Sequence, residues 1–246
     1  MAAKQDGVRR VVLYSGGQDR GNARLHRAVL DLARRGPARG RRTVRMTYVP
    51  FTQENAGVFF HRFARRYRSF GATHFECVPV DRPELARAGE ARRRAAATLA
   101  SSDVVYLAGG NTFYFLHHLH RSGLRSVIRD FADHGGVVVG MSAGAHLLSP
   151  HIALAGHPPF DRDENEVGLP RAQLVSVGVV DFEFFPHYRH SPRYRRAMAA
   201  WSRRSGRLLY AARDGSGLVI EGDRIRPVGD LWTFDHGVES RVVPGE

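Results

Sequence analysis

Short β-branched runs alternate with amphipathic helical patterns along the first part of the chain, and this alternation restricts the fold more than any other feature. The runs are bounded by turn residues and lie at 11–14, 44–49, 75–80, 104–107 and 137–140. The helical patterns lie at 22–35, 55–68, 83–99 and 114–134, with apolar residues three and four positions apart. Such an alternation predicts a three-layer α/β fold: a mostly parallel sheet with helices on both faces.

The last third of the chain has a different pattern. An extended run at 174–185 and a helical pattern at 191–204 precede short strands at 208–212, 217–221 and 224–228, which are separated by glycine turns. These strands predict a small antiparallel C-terminal extension of the sheet. With 246 residues, the whole chain, 1–246, is expected to form one domain.

Composition excludes several classes of function. The formal charge is +13, but Lys4 is the only lysine and arginines occur in every predicted helix without a recognition motif, so we predict solvated helix faces and no specific nucleic-acid partner. No stretch reaches the ~18 apolar residues of a membrane span. The single cysteine, Cys77, excludes an internal disulfide and, with a polar N-terminus, favours a cytoplasmic location.

The pentapeptide at 140–144, Gly-Met-Ser-Ala-Gly, joins the fifth strand to a helical stretch. This is the arrangement that holds a nucleophilic hydroxyl on a sharp strand-to-helix turn, where side chains at Gly140 or Gly144 would press on the neighbouring backbone. The amide of Ala143 is a natural donor to an oxyanion forming beside the serine. The pattern predicts Ser142 as a nucleophile, the alternative being a purely structural turn.

A serine nucleophile needs a base, which is normally histidine. Among thirteen histidines, His187 stands out because Pro186 must end the preceding apolar strand and leave the histidine at a strand terminus. The alternative is an ordinary loop histidine. A second glycine turn at 109–112 enters a helix that Asn111 or Thr112 can cap, and such a turn can bring an amide to a bound carbonyl or can simply be a tight connection.

Three motifs, Gly-Gly-Asn-Thr at 109–112, Gly-Met-Ser-Ala-Gly-Ala at 140–145 and Pro-His-Tyr at 186–188, resemble in order and spacing the peptidase E and cyanophycinase family of serine peptidases. The resemblance extends to the segment 214–219 and covers most of the chain. It implies a class-I-glutamine-amidotransferase-like fold in which serine replaces the usual cysteine nucleophile. It further implies that Ser142 attacks, that His187 is the base, and that the amides of Gly110 and Ala143 form the oxyanion hole.

The resemblance also implies a carboxylate in the loop between the serine and the histidine. That loop is acidic, and Asn165-Glu166-Val167 most resembles the family's acid-bearing pair. We therefore predict Glu166 as the third triad member, followed by Glu164 and then Asp163. The alternative is an acidic loop that only offsets nearby arginines.

The expected activity is hydrolysis of dipeptides or short peptides through an acyl-enzyme. Family members of the peptidase E type prefer an N-terminal aspartate, and Arg189 and Arg193 are candidates to bind its carboxylate, beside Asn111 and Thr112 of the glycine turn. The alternatives are a cyanophycinase-like hydrolase of β-aspartyl-arginine and a catalytically silent basic binding protein. The expected partner is a small peptide, and a homodimer is left open.

No cofactor or metal is predicted. Histidines 117, 118 and 120 lie on one predicted helix, but no Cys or carboxylate joins them at ligand spacing. The glycine turn at 16–17 lacks the dinucleotide and P-loop signatures, which makes nucleotide binding improbable.

Overall fold

The computed structural model of the protein describes residues 7–17 and 21–243. Its strands are β1 (Arg10–Tyr14), β2 (Arg45–Val49), β3 (His74–Cys77), β4 (Val104–Leu107), β5 (Val137–Met141), β6 (Glu183–Phe185), β7 (Leu209–Ala212), β8 (Gly217–Glu221), β9 (Arg224–Val228), β10 (Leu231–Asp235) and β11 (Val238–Val242). Its helices are α1 (Ala23–Arg35), α2 (Ala56–Arg68), α3 (Glu90–Ala100), α4 (Thr112–Ser122), α5 (Leu124–Asp133), α6 (Ala143–Leu148) and α7 (Pro192–Ser205), with 3₁₀ turns at Pro83–Ala86, Ala153–Gly156 and Arg171–Gln173.

The central sheet has the strand order β3-β2-β4-β5-β1-β8-β9. Strands β1 to β5 run parallel, and β8 and β9 add an antiparallel edge. Gly140 of β5 pairs with both Leu107 of β4 and Leu13 of β1, so the carboxyl ends of these three strands lie level. Ligand sites of open α/β sheets form at this edge.

Helices cover both faces of the central sheet. Because side chains alternate along a strand, Val11 and Leu13 of β1 face one helical layer while Val12 and Tyr14 face the other. The first layer contributes, among others, Leu99, Phe115, Ile128 and Leu147. The second layer, formed by α1 and α2, contributes Leu25, Val29, Phe63 and Tyr67. The predicted α/β fold with a mostly parallel sheet between two helical layers is confirmed.

A second, smaller sheet has the order β11-β10-β7-β6, antiparallel except where β6 pairs with β7. Helix α7 packs on it through Met198 and Trp201, against Leu209 and Phe234. The small C-terminal antiparallel sheet is therefore present. The C-terminal strands divide between two sheets, however: β8 and β9 extend the central sheet, and β7 joins β10 and β11.

Some predicted element boundaries were wrong. The helix predicted at 114–134 is interrupted at Gly123, whose φ of 67° ends α4 in the left-handed conformation that glycine adopts at helix C-termini. The helix predicted at 83–99 begins as a 3₁₀ turn, and α3 starts only at Glu90. Of the run predicted as extended at 174–185, only Glu183–Phe185 is a strand, although Val175 forms an isolated bridge with His151.

Helix lengths bear on membrane association. The helix α7 has 14 residues, whereas a bilayer span requires about 20. Across the ranges 7–17 and 21–243, none of the helices combines the length and the apolar character needed to cross a membrane.

Candidate active site

Ser142 lies in the turn between β5 and α6, at the carboxyl edge of the central sheet. Its φ is 54° and its ψ is −113°, a conformation that non-glycine residues rarely adopt. The amide of Ser142 donates to the carbonyl of Tyr14 at 3.0 Å, and the amide of Gly144 donates to the carbonyl of Ala108 at 3.0 Å. Bonds to the two neighbouring strand ends thus hold the strained turn in place, as in a nucleophile elbow.

The two glycines of the pentapeptide have no room for a side chain. A Cβ atom at Gly140 would lie 2.4 Å from the carbonyl oxygen of Gly144, and one at Gly144 would lie 2.3 Å from the carbonyl oxygen of Leu107. Because these neighbours are backbone atoms, they cannot move aside without displacing a strand or a helix. The spacing of glycines around Ser142 is therefore a steric requirement of the elbow.

His187 faces the serine from the other sheet. Its Nε2 atom lies 2.9 Å from Ser142 Oγ. The residue follows β6 and Pro186 with a φ of 56°, and its amide donates to Ser15 Oγ at 2.5 Å. A strained backbone fixed by a buried side chain again points the ring at the serine.

The second ring nitrogen of His187 has a carboxylate partner. His187 Nδ1 lies 2.7 Å from Asp214 Oδ1, and the hydroxyl of Ser15 donates to the same oxygen at 3.1 Å. Asp214 lies in the turn between β7 and β8, where the amide of Gly215 donates to the carbonyl of Gly16 at 2.9 Å. A carboxylate at Nδ1 favours the tautomer whose Nε2 lone pair accepts a proton from the serine.

The structure corrects the predicted partner of His187, which is Asp214 rather than Glu166 or Glu164. Glu164 and Glu166 are exposed, and Glu164 pairs with Arg162 at 2.9 Å. Asp163 accepts a hydrogen bond from the amide of Thr112 at 2.8 Å.

The sequence did not indicate Asp214, because this residue follows His187 in the chain, whereas the resemblance implies a carboxylate in the loop before the histidine. Its signal was a carboxylate two residues after a short strand, within the segment 214–219 that belongs to the resemblance. Ser15, which follows β1 at the same edge, precedes the glycine turn at 16–17, and that turn was considered only for nucleotide binding.

The glycine turn at 109–112 lies against the elbow. An added Cβ at Gly109 would lie 3.4 Å from Ser142 Cβ, and one at Gly110 would lie 2.2 Å from the ring of Phe51. Gly110 has a φ of 141°, so the position excludes a side chain on both counts. The turn and the first residue of α6, Ala143, thus flank the serine, which is the placement that an oxyanion hole requires.

Asn111 and Thr112 join the acidic loop to the start of α4. Asn111 Oδ1 caps the helix by accepting from the amide of Tyr114 at 2.9 Å, and its Nδ2 donates to the carbonyl of Glu164 at 2.9 Å. Thr112 is fully buried and binds Asp163 through its amide. Both polar atoms of the Asn111 side chain are therefore bonded within the protein, so Asn111 positions the acidic loop against α4.

Two cavities meet at Ser142 and His187. The smaller, of about 110 Å³, has Thr112, Ala143 and Asp163 among its lining residues. The larger, of about 380 Å³, lies on the side of α2. A carbonyl bound at the serine would therefore have space for a substituent on either side.

The two arginines proposed for substrate binding lie in different places. Arg193 stacks on Phe160, with its Cζ atom 3.3 Å from the ring centroid, next to the segment 161–163 that lines the smaller cavity. Arg189 is exposed and is absent from the described lining of both cavities. Arg193 is likewise exposed and absent from the described lining of both cavities, so the structure places neither arginine in a cavity wall, and Arg193 only lies beside the segment 161–163.

Burial determines the protonation of two other groups with nucleophilic or basic potential. Burial, followed by the charge of His187, lowers the pKa of His146 to about 3, so the imidazole beside the smaller cavity is neutral. Burial raises the pKa of the Cys77 thiol to about 11, with a smaller opposing effect from Arg82. Because the thiolate is the reactive form, Cys77 is a poor nucleophile near neutral pH.

The histidines of α4 have structural partners. The ring of His118 packs on Tyr114 with 4.4 Å between centroids, and His120 Nε2 lies 3.2 Å from the carbonyl oxygen of Gln173. Within the part of the chain that the structure describes, no three His, Cys, Asp or Glu side chains are arranged to hold a metal ion.

Known proteins share both sequence and fold with this chain. A model of peptidase family S51 matches residues 11–228. An uncharacterized peptidase of Listeria monocytogenes is 30% identical over 147 residues, 60% of this chain and 67% of that protein. Peptidase E of Shewanella amazonensis is 27% identical over 147 residues, 55% of this chain and 58% of that protein. The aligned part of the chain therefore spans between 58% and 67% of the length of these two relatives.

A solved structure extends the likeness over nearly the whole chain. The crystal structure of a peptidase from an acI-B1 actinobacterium superposes with a TM-score of 0.73, covering 98% of this chain and 97% of that one, at 18% sequence identity. At this identity the match establishes a shared fold.

Proposed function

The chain belongs to peptidase family S51 and is a serine-type peptidase, as the three motifs indicated, and from this premise we propose that it hydrolyses dipeptides or short peptides through Ser142, His187 and Asp214. The observation that carries the proposal is a continuous hydrogen-bonded chain. It runs from Asp214 Oδ1 to His187 Nδ1 at 2.7 Å and from His187 Nε2 to Ser142 Oγ at 2.9 Å. These are the relations that activate a serine hydroxyl.

In the first half of the reaction, His187 Nε2 accepts the proton of Ser142 while Oγ forms a bond to the substrate carbonyl carbon. The carbonyl oxygen becomes an oxyanion, which the amides of Gly110 and Ala143 stabilise, and losing one such donor typically costs about 3 kcal/mol of transition-state stabilisation. Asp214 stabilises the charged imidazole. His187 then gives its proton to the leaving nitrogen, the C–N bond breaks, and an acyl-enzyme remains on Ser142.

In the second half, water replaces the released amine. His187 accepts a proton from the water as its oxygen attacks the ester carbon, and the same amides stabilise the second oxyanion. The bond to Ser142 Oγ breaks, and the serine recovers its proton from His187. The two halves together consume one water and release an acid and an amine.

Arg193 supports a preference for an N-terminal acidic residue. Its guanidinium lies over Phe160, which precedes the segment 161–163 that lines the smaller cavity. A substrate carboxylate that extended beyond this segment would meet a cation able to bind it bidentately. The β-aspartyl-arginine alternative is less well supported, because Arg62 and Arg66 line the larger cavity and would repel the arginine side chain of that substrate. A silent binding protein would have no use for strained backbone at both Ser142 and His187.

The proposal is tested with a panel of Asp-Xaa, β-Asp-Arg and neutral dipeptides, assayed with the wild type and with Ser142→Ala. We expect Asp-Xaa dipeptides to be cleaved fastest and all cleavage to disappear in the variant. Cleavage that persists in Ser142→Ala contradicts the mechanism. Cleavage of neutral dipeptides at equal rates contradicts only the acidic preference.

A further inference from the structure

The larger cavity at the proposed catalytic serine has no described lining residue from the acidic loop, and only Gly109 of the Gly-Gly-Asn-Thr turn lines it. Its volume of about 380 Å³ lies within the range of about 300–1,000 Å³ that is typical of ligand sites. Ser142 and His187 form its inner end, and Gly16 and Gly17 form the wall next to the histidine. A ligand in this cavity would therefore contact the atoms that exchange the proton.

One face of α2 forms the outer wall of this cavity. Phe59, Arg62, Phe63 and Arg66 line it, and their spacing of three and four places all of them on the same side of the helix. The Arg62 guanidinium carbon lies 5.9 Å from the centroid of the Phe59 ring. Two arginines one helical turn apart therefore line the cavity, and the phenylalanines beside them make the rest of this wall apolar.

The floor of the cavity is aromatic and uncharged. Tyr48 and Tyr106 line it, and the Tyr106 hydroxyl is hydrogen-bonded to the Tyr14 hydroxyl and lies 3.4 Å from Met141 Sδ. Burial raises the pKa of Tyr48 to about 12, so this phenol stays neutral, and the charge of Arg66 acts on it in the opposite direction. None of the described residues that line the cavity is Asp or Glu, which makes the cavity cationic.

A cationic cavity on one side of the scissile bond favours a substrate that places a negatively charged group there. Asp161 and Asp163 line the smaller cavity beside Arg162. Their carboxylates suit the free α-amino group of the acyl residue, so the larger, cationic cavity is left for the leaving residue. In a dipeptide, the leaving residue carries the free α-carboxylate two bonds from the nitrogen that His187 protonates. Arginine is the side chain that best matches a carboxylate in geometry and charge.

We propose that Arg62 and Arg66 bind the α-carboxylate of the leaving residue, so that the enzyme acts on dipeptides with a free C-terminus. This inference rests on the proposed function. Arg62 and Arg66 are specificity residues in this account, because they contact the substrate away from the bond that breaks.

The test compares an Asp-Xaa dipeptide with its C-terminal amide, which differs only in the charge of the terminal group. The wild type is expected to cleave the acid with a kcat/KM at least about tenfold above that of the amide, mainly through a lower KM, since tenfold corresponds to about 1.4 kcal/mol. Arg62→Gln is expected to reduce this preference, by lowering kcat/KM for the acid more than kcat/KM for the amide. Equal cleavage of acid and amide by the wild type contradicts the inference.

The matched control is Arg65→Gln. Arg65 lies on the same helix, is exposed and is absent from the described lining of the cavity. Arg65→Gln removes the same charge as Arg62→Gln, but outside the cavity, so it should leave the preference for the acid intact. If Arg65→Gln weakens the preference as much as Arg62→Gln does, the effect is one of overall charge and the inference is wrong.

Binding to the Ser142→Ala variant separates this inference from the proposed function. Calorimetry at about 150 mM salt, where exposed charges are screened beyond about 8 Å, gives the Kd of the dipeptide and of its amide without any turnover. At least tenfold tighter binding of the acid supports the carboxylate site even if the wild type cleaves neither compound. Equal Kd values contradict the site even if the wild type is an active peptidase.

Discussion

At the scale of single residues, Ser142 and His187 share a strained backbone conformation, with φ values of 54° and 56°. Such strain costs about 1–3 kcal/mol per residue and persists only where the surroundings enforce it. Here Tyr14 and Ser15, at the end of β1, accept the amide hydrogens of the two residues. The same short segment therefore positions both the proposed nucleophile and the proposed base.

Asp214→Asn tests the corrected triad. The amide group can donate to His187 Nδ1 and so favour the wrong tautomer, which should lower kcat on the order of 10⁴-fold with little change in the free energy of unfolding. Steady-state kinetics and urea unfolding measure the two effects. Glu164→Gln and Glu166→Gln serve as controls and should retain activity close to that of the wild type. A larger loss of kcat in either control would mean that Glu164 or Glu166, and not Asp214, is the third member of the triad.

The sequence predicted the contact between Ser142 and His187, the proposed nucleophile and base, better than it predicted the carboxylate partner of His187. Ser142 and His187 each stand in a local pattern, a strand-to-helix turn and a proline-ended strand, and the structure brings them within hydrogen-bond distance. Asp214 has no comparable pattern of its own. Its position depends on how β7 passes from the small sheet to β8 of the central sheet, which is a long-range feature.

At the scale of elements, position 144 of the elbow requires glycine, whereas position 57 of α2 does not. Gly144→Ala should lower the free energy of unfolding by about 3 kcal/mol, because the new methyl group would overlap backbone atoms of Leu107. Gly57→Ala is the matched control: nothing lies within 4 Å of its Cβ position. Alanine there should raise helix stability by up to about 1 kcal/mol.

Urea unfolding of the two glycine variants checks this prediction. A Gly144→Ala protein as stable as the wild type would mean that the strand and the helix are not packed at the elbow as described. Loss of stability in Gly57→Ala would contradict the finding that the Cβ position of residue 57 is open.

Element type was easier to predict than element partners. The parallel strands β1 to β5 came from local patterns, whereas β10 and β11 were missed. Leu231, Trp232 and Phe234 of β10 are buried and apolar, but their neighbour β7 lies more than one strand away in the chain. The pairing of β10 with β7 is decided by tertiary packing, so a local pattern does not reveal it. The pairing of β11 with β10 is a local hairpin across His236 and Gly237, and this signal was overlooked.

At the scale of the whole molecule, one buried carboxyl group links stability to pH. Glu183 of β6 accepts hydrogen bonds from Trp201 Nε1 at 2.6 Å and from the Ser205 hydroxyl at 3.2 Å, and both donors belong to α7. Burial raises the pKa of Glu183 above 4.5, an effect that these hydrogen bonds oppose in part. The folded protein therefore holds this proton more tightly than the unfolded chain does.

Glu183→Gln should become stabilising relative to the wild type as pH rises. Above pH 4.5 the unfolded chain loses the proton first, so the wild type loses stability until pH exceeds the folded pKa, by at most about 1.4 kcal/mol per pH unit. Glutamine has no proton to lose, and its oxygen can still accept both hydrogen bonds. Urea unfolding from pH 4.5 to 8 measures the difference, with exposed Glu166→Gln as the control. A difference that does not change with pH contradicts the prediction.

The net charge of the whole molecule does not identify a partner. Many arginines pair with carboxylates on the surface, as Arg9 and Arg129 do with Asp133 at 2.9 Å. Nonspecific binding to polyanions that disappears at moderate salt would follow from a charge of +13 alone. A cytoplasmic location and the absence of a specific nucleic-acid partner stay predictions of the sequence.

The most direct test of the central claim is to label the protein with a fluorophosphonate and to locate the adduct by mass spectrometry of its peptides. Attack by an activated serine forms a P–O bond, releases fluoride and passes the hydroxyl proton to His187. The account predicts one adduct, on the peptide that contains Ser142, which is absent in Ser142→Ala and forms much more slowly in Asp214→Asn. An adduct on another residue, such as Cys77, or cleavage of dipeptides by a protein whose Ser142 remains unlabelled, would contradict the account.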